Sequence, residues 1–155
     1  MNERYIRQTM IPGIGEAGQE KLKNAKVLIV GIGGLGSPIS LYLTAAGVGQ
    51  IGLIDDDIVS KSNLQRQILY TEAEIGQSKV ECACRRLSAL NSSTRFETYP
   101  NRFTPDNANR LVSAYDIIVD GCDNAATRYL IDDVCSRFKK PYVYGSISEF
   151  RGQVS

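Results

Sequence analysis

The chain has 155 residues, 43% of them hydrophobic, and its 18 lysine and arginine side chains nearly balance 17 aspartate and glutamate side chains. This composition is typical of one globular domain, and the small net charge gives no electrostatic reason to expect nucleic acid or a membrane surface as the main partner. The polar N-terminus does not resemble a secretory signal, and no apolar run approaches the roughly 20 residues of a membrane span, so we expect a cytoplasmic protein.

Short β-branched runs alternate with helical stretches, which predicts an α/β fold. We expect a Rossmann-like, doubly wound and mainly parallel sheet with helices on both faces, in a single domain over residues 1–155 with an N-terminal arm at about 1–24. In chain order the predicted elements are a strand at 27–31, a helix at 35–46, a strand at 51–55, a helix at 78–90, a strand at 95–99, a helix at 105–113, a strand at 116–120, a helix at 124–138 and a last parallel strand at 141–146.

Three local signals refine this outline. Pro38 lies in the first turn of its predicted helix, where a missing N–H costs nothing, and Gly47 is the expected C-cap. The polar loop at 56–76 is long for an α/β connection, and structured loops of that length are usually functional. The tail at 150–155 resembles the opening of a further strand without a turn or cap, which we interpret as a C-terminally truncated fold.

The chain contains no histidine and four cysteines without Cys-x-x-Cys spacing. The lack of imidazole excludes histidine-based acid–base catalysis, a histidine triad and a histidine metal site. We expect all four cysteines to be structural, since free cysteine is usually a small core side chain. The four are Cys82, Cys84, Cys122 and Cys135. Cys84 shares a helical stripe with Val80 and Leu87 and is predicted to be buried.

A glycine-rich turn follows the first predicted strand and precedes the first predicted helix. Its glycines are Gly31, Gly33, Gly34 and Gly36. This context predicts a phosphate-binding turn, because glycine lets backbone N–H groups approach an anion at the helix N-terminus. Asp55, at the end of the second predicted strand, is placed to accept hydrogen bonds from a ribose. At this point NAD and ATP are equal interpretations, and a tight turn without a ligand is the third.

Polar residues beyond Asp55 favour a polyphosphate. Arg66 can hold two phosphate oxygens through its planar fork, and Lys79 can place a single charge on another. Asp123 follows a buried strand at the edge where open α/β sheets bind ligands, and a carboxylate beside a triphosphate is a suitable Mg²⁺ ligand. Each of these residues alone is more often a solvated surface charge, but together with Asn63 they predict one crevice.

Several motifs resemble, in order, those of the ThiF/MoeB/HesA family, relatives of the ubiquitin-activating enzymes. The most specific is the block Ser62-Asn63-Leu64-Gln65-Arg66-Gln67. The others are Arg4-Tyr5-Ile6-Arg7-Gln8, the glycine turn, Tyr42-Leu43 with Ala46-Gly47-Val48-Gly49, Asp55-Asp56-Asp57, Gly76 with Lys79-Val80, Asp120-Gly121-Cys122-Asp123-Asn124 and Arg151-Gly152-Gln153. The resemblance covers essentially the whole chain.

The resemblance implies a role for each matched position. Gly34 would approach the phosphates and Asp55 would hold the ribose, while Asp123 would bind Mg²⁺ with Asn124 beside it. Arg7 resembles the family's finger arginine, which reaches the ATP of the neighbouring subunit in a homodimer. The triphosphate would be bound by Asn63, Arg66 and Lys79. The first two belong to the block that also contains the cofactor-binding candidates Ser62, Leu64 and Gln65. Full-length members usually carry a structural zinc on two Cys-x-x-Cys pairs and often a transfer cysteine, which this chain does not contain.

The function implied is ATP- and Mg²⁺-dependent adenylation of the C-terminal glycine carboxylate of a small ubiquitin-like sulfur-carrier protein ending in Gly-Gly. The pathway would be thiamine biosynthesis, molybdopterin biosynthesis or a related sulfur transfer. Two alternatives remain from the residues: an NAD-dependent oxidoreductase, suggested by the turn and Asp55, and a truncated module that binds ATP or a partner without turnover.

Overall fold

The computed structural model describes residues 3–155 and contains a five-stranded parallel sheet of order β3-β2-β1-β4-β5, followed by a two-stranded antiparallel hairpin, β6-β7. The strands are β1 (Lys26–Val30), β2 (Gln50–Ile54), β3 (Arg95–Tyr99), β4 (Ile117–Asp120), β5 (Tyr142–Val143), β6 (Gly145–Ser148) and β7 (Arg151–Val154). The helices are α1 (Ile6–Thr9), α2 (Gly15–Asn24), α3 (Gly36–Ala46), α4 (Lys79–Leu90), α5 (Pro105–Ala114) and α6 (Ala125–Phe138).

Side chains of β1 alternate between two separate cores. Val27 and Ile29 belong to the core with α3 and α4, whereas Leu28 and Val30 belong to the core with α5 and α6. A parallel strand that is buried on both faces must be apolar throughout, which explains the continuous Val-Leu-Ile-Val run. The prediction of a doubly wound sheet with helices on both faces is therefore confirmed.

The predicted ends of α3 are confirmed in detail. Pro38 lies in its first turn, and Gly47 caps its C-terminus in the left-handed conformation with φ of 88°. A Cβ at Gly47 would lie 2.6 Å from the ring of Tyr5, so both the conformation and the space require glycine.

The N-terminal arm packs against the edge of the sheet where the strands begin. The Asn91 side chain, after α4, donates to the Tyr5 hydroxyl at 2.8 Å, and the Gln8 side chain donates to the carbonyl of Ala46 at 3.1 Å. Both partners lie at C-terminal ends of helices that run back from the opposite edge of the sheet.

The C-terminal prediction is wrong in part. The strand expected at 141–146 breaks at Tyr144, so that only Tyr142–Val143 joins the parallel sheet. Residues Gly145–Ser148 instead pair with Arg151–Val154, and Glu149 turns the hairpin with φ of 54°. The tail is thus the second strand of a hairpin. The residue pattern at 141–146 predicts a strand but does not show that its pairing partner changes after Tyr144.

The burial predicted for Cys84 is also wrong. The inward face of α4 contains Val80, Ala83 and Leu87, with Cys82 fully buried beside them, whereas Cys84 lies at the margin and is half-buried. Cys135 is buried as expected. Within the described part of the chain, no helix is both long and apolar enough to cross a membrane.

Candidate active site

A cavity of about 260 Å³ opens at the edge of the sheet where the parallel strands end. Loops after four strands meet there, as expected for an open α/β sheet. Of the predicted site residues, the cavity is lined by Gly31, Gly33, Gly34, Asp55, Asn63, Arg66, Lys79, Asp123 and Asn124. The residues Arg7, Gly36, Ser62, Leu64 and Gln65 do not line it.

Two glycines of the turn are required by backbone packing. Gly31 has φ of 87°, and a Cβ there would lie 2.9 Å from the backbone of Gly121. A Cβ at Gly36 would collide with the carbonyl of Gly31, and a Cβ at Gly121 would lie 2.5 Å from the same oxygen. The turn after β1 and the turn after β4 are therefore packed backbone against backbone.

The other two glycines have no such structural reason. A Cβ at Gly33 or Gly34 would meet only the side chains of Gln67 and Arg66, at 3.5 Å, and neither glycine has a positive φ. The N–H groups of residues 33–36 donate no hydrogen bond to any of residues 3–155. Free N–H groups at the start of a helix, beside glycines that leave room, have the form of an anion cradle, and we call residues 33–36 the cradle.

The Asp55 carboxylate holds the glycine turn in place. One oxygen accepts from the Ile32 N–H at 2.7 Å and the other from the Asp57 N–H at 2.9 Å. Each carboxylate oxygen can accept a further hydrogen bond from the cavity. Asp55 therefore has a structural role that sequence reasoning missed, beside the predicted ribose contact.

Lys79, the first residue of α4, is buried, and its ammonium donates to Asp57 at 2.8 Å. The Lys79 N–H also donates to the Asp57 carbonyl at 3.0 Å. A buried ammonium needs a counter-charge, and Asp57 supplies it. Sequence reasoning missed this partner, although Asp57 follows β2 closely enough for topology to place it there.

Arg66 and Asn63 lie in the long loop, which contains 3-10 turns at Lys61–Asn63 and Glu72–Glu74. The exposed Arg66 side chain lies over Gly34, and its one hydrogen bond to residues 3–155, to the carbonyl of Ser62, is long at 3.5 Å. Its guanidinium is thus weakly held and close to the cradle. The Asn63 side chain accepts from the Ser60 hydroxyl at 2.9 Å.

Asp123 and Asn124 follow β4 on the opposite side of the cavity. The Asn124 side chain caps α6 by accepting from the Thr127 N–H at 2.9 Å. The exposed Asp123 side chain makes no hydrogen bond within residues 3–155 and is free to bind a cation.

Sequence reasoning missed several lining residues. Arg102 and Phe103 follow β3, whose end meets the same edge, and Arg102 pairs with Asp56 at 3.2 Å. Their position shortly after the strand predicted at 95–99 is the sequence signal that could have identified them. Burial, together with the negative charge of the neighbouring Asp120, raises the pKa of the Cys122 thiol to about 12, so this thiol is protonated at neutral pH and is a poor nucleophile.

Comparison with known proteins matches the ThiF family to residues 5–155. Two curated relatives are a probable adenylyltransferase/sulfurtransferase MoeZ of Mycobacterium tuberculosis, 50% identical over 152 residues, and a sulfur carrier protein adenylyltransferase of Thermus thermophilus, 48% identical over 153 residues. The alignments cover 98% and 99% of this chain but only 39% and 56% of those proteins. A solved structure, E. coli tRNA N6-threonylcarbamoyladenosine dehydratase in complex with ATP, matches with a TM-score of 0.80 at 32% identity, over 83% of this chain and 53% of that one.

Proposed function

The chain belongs to the ThiF family, and from this premise we propose that it adenylates the C-terminal carboxylate of a small ubiquitin-like sulfur-carrier protein, with ATP and Mg²⁺. The observation that carries the proposal is the cradle at residues 33–36. Its free N–H groups and the open glycines Gly33 and Gly34 suit a polyphosphate, and neither feature is needed to fold the ligand-free chain. A solved relative whose structure contains ATP supports a nucleotide in this cavity.

Lys79 and Arg66 would neutralise the triphosphate from the side of the long loop, with Asn63 beside them. Asp55 would bind the ribose with its remaining acceptor capacity. Asp123 would hold Mg²⁺ on the other side of the cavity, and bound Mg²⁺ would neutralise phosphate charge and orient the leaving pyrophosphate. Carboxylate oxygens that can bind Mg²⁺ and cationic side chains that can bind phosphates both line the cavity, so its residues suit Mg-ATP.

The reaction proposed is attack of a carboxylate oxygen on the α-phosphorus, with release of pyrophosphate and formation of an acyl-adenylate. Like charges repel, so the residues must neutralise the phosphates and align the two groups. The step needs no enzyme base, because the carboxylate is already ionised. It therefore suits a chain without histidine, and the protonated Cys122 thiol takes no part.

Arg7 is proposed to act in the neighbouring subunit of a homodimer. It is exposed on α1, and the arm is attached to the edge of the sheet opposite the cavity through Tyr5 and Gln8. The two edges are about 16 Å apart along a five-residue strand, so Arg7 does not reach its own cavity while the arm is docked. A two-fold dimer would bring it to the partner's cavity.

The carrier protein is proposed from the name of the Thermus thermophilus relative, a sulfur carrier protein adenylyltransferase. Thiamine and molybdopterin biosynthesis, or a related sulfur transfer, are the proposed settings. The proposed domain is one ATP-binding adenylation domain over residues 1–155.

The test is ATP–pyrophosphate exchange with a panel of small proteins ending in Gly-Gly. Exchange that requires both Mg²⁺ and one of these carriers is expected, and a carrier lacking the terminal glycine is the control. ATP binding without exchange for any carrier would instead favour a binding module. Heat protection by NAD and not by Mg-ATP would favour an oxidoreductase.

A further inference from the structure

The Asp120 carboxylate, at the end of β4, is fully buried. It accepts from the Cys122 N–H at 2.8 Å, from Arg128 Nε at 2.9 Å and from the Tyr142 hydroxyl at 3.0 Å. A carboxylate removed from water needs such donors, and Arg128 is the charged one among them.

Arg128 also uses the other side of its guanidinium. Its Nη2 donates to the carbonyls of Cys122 at 3.0 Å and of Gly145 at 3.3 Å, and the group lies 4.6 Å from the ring centroid of Tyr144. One side chain on α6 thus contacts the turn after β4 and the first residue of β6. A planar group with donors on several sides can make these contacts together, whereas an ammonium cannot.

Both main-chain groups of Cys122 are held by this pair: Asp120 accepts from its N–H and Arg128 donates to its carbonyl. Asp123 is the next residue, and its side chain has no hydrogen-bond partner of its own in the described chain. The position of Asp123 and the direction of its Cα–Cβ bond are therefore set by the backbone before it and by the Asn124 cap after it.

We propose that Arg128 is a positioning residue for the Asp123 carboxylate, so that Mg²⁺ affinity depends on the Arg128 contact with the Cys122 carbonyl. This inference rests on the proposed function, because it requires Asp123 to be the Mg²⁺ ligand. Arg128→Lys would keep the positive charge beside Asp120 and lose the fork. The charge of Asp120 would then still be neutralised, but the Cys122 carbonyl would lose the donor that orients the turn after β4.

The test compares Arg128→Lys with Tyr142→Phe, which removes a donor to the same Asp120 oxygen but no contact with residues 121–124. ATP binding is measured by calorimetry over a series of Mg²⁺ concentrations and in EDTA. For Arg128→Lys we expect the half-saturating Mg²⁺ concentration to rise about tenfold or more, as for other residues that orient metal ligands, with unchanged ATP affinity in EDTA. Tyr142→Phe should keep the wild-type Mg²⁺ dependence.

Hydrogen exchange gives a second readout that does not depend on the metal. Without Mg²⁺, amide exchange at residues 121–124 should be faster in Arg128→Lys than in the wild type and unchanged in Tyr142→Phe. A folded Arg128→Lys protein with wild-type Mg²⁺ dependence overturns the proposal. An equal shift in Tyr142→Phe also overturns it, because the effect would then be a general loosening around Asp120.

An Asp123→Asn variant separates this proposal from the proposed function. If Asp123→Asn leaves the Mg²⁺ dependence unchanged, the metal role of Asp123 is wrong and the positioning proposal fails with it. If Asp123→Asn raises the Mg²⁺ requirement and Arg128→Lys does not, only the positioning proposal is wrong. Should Arg128→Lys unfold below the assay temperature, the double variant Asp120→Asn/Arg128→Gln leaves no buried charge, and the same expectation applies to it.

Discussion

Lys79 and Asp57 form an ion pair of 2.8 Å in which the lysine side chain is 4% exposed and the aspartate side chain is 67% exposed. The ammonium is therefore fixed by burial while its counter-ion faces the solvent at the cavity. Lys79 lines the cavity, so the triphosphate proposed there would meet an ammonium that is already held in place. The pair thus keeps a cation in place before the anion that it would bind has arrived.

Asp57→Asn should destabilise the ligand-free protein by roughly 1 to 3 kcal/mol, because it leaves a buried ammonium without its counter-charge. ATP would supply the missing negative charge, so Mg-ATP should raise the melting temperature of this variant by more than that of the wild type. The measurement is thermal melting with and without Mg-ATP. Asp56→Asn, which breaks an exposed pair with Arg102, is the control. Equal ATP-induced shifts in the Asp57→Asn and wild-type proteins would contradict this prediction.

Gly34→Ala should fold with a stability within about 1 kcal/mol of the wild type, because the added Cβ meets only the flexible Arg66 side chain at 3.5 Å. Its affinity for ATP should fall, since the methyl group would occupy the cradle. Gly36→Ala is the matched contrast, with an expected loss of about 3 kcal/mol or more from the backbone collision. Denaturant unfolding and ATP titration measure the two effects. Unchanged ATP affinity in Gly34→Ala would show that no ligand approaches this glycine.

Arg66→Ala should weaken ATP binding about tenfold or more, because it removes a charged donor beside the phosphates. Arg66→Lys should recover only part of the affinity, since the bidentate fork is lost. The stability of both variants should stay within about 0.5 kcal/mol of the wild type, as Arg66 is exposed and weakly bonded. Calorimetric titration with ATP tests this, and full recovery by lysine would leave only a point-charge role.

Arg7→Ala should reduce adenylation strongly, since an arginine supplied in trans is worth about 10³-fold in other phosphoryl-transfer enzymes. Mixing Arg7→Ala chains with Arg66→Ala chains should restore activity to about a quarter of the wild type, because half of the randomly formed two-fold dimers would contain one intact site. Exchange of subunits is verified with differently tagged chains. No recovery despite verified exchange would place Arg7 outside the partner's site.

The cysteines should differ in alkylation. Cys84 is half-buried on the margin of α4 and should react first at pH 8, whereas Cys122 should stay largely unmodified because its pKa is raised to about 12.

The raised pKa of Cys122 should also make the stability of the protein depend on pH. The ordinary pKa of this thiol is 9.0, so above pH 9 the unfolded chain loses the proton that the native chain keeps. Cys122 therefore lowers the free energy of unfolding as the pH rises from about 9 to 12. Mass spectrometry after iodoacetamide treatment, and unfolding of wild type and Cys122→Ala between pH 8 and 11, measure both effects. Faster labelling of Cys122 than of Cys84 would argue against the raised pKa.

The core and the polar edge of the sheet could be predicted because their signals are local. The Val-Leu-Ile-Val run identifies a strand that is buried on both faces, and the glycine turn and Asp123 each come directly after such a strand. The strand order then brings the loops together without further information from the sequence. Most of the predicted lining residues are found at the cavity for this reason.

What could not be predicted depends on partners that are distant in sequence. Asp57 gains its role from Lys79 on another element, and Arg128 gains its contacts from the turn after β4 and from Gly145. The change of partner after Tyr144 is also set by tertiary pairing, since a strand run does not identify the strand beside it. Cys84 is a similar case in a helix, because its spacing from Val80 and Leu87 does not show how far the packed face of α4 extends.

The contact of Gly31 with both Gly36 and Gly121 restricts how this turn can evolve. A side chain at any one of the three positions would collide with the backbone of another, so each single replacement would destabilise the fold whatever its effect on binding. Substitution in this part of the protein is therefore expected mainly at positions such as 33 and 34, where the fold tolerates a methyl group and where the proposed ligand would be the main constraint. Descendants of this chain can lose or change what they bind far more easily than they can change the turn that would bind it.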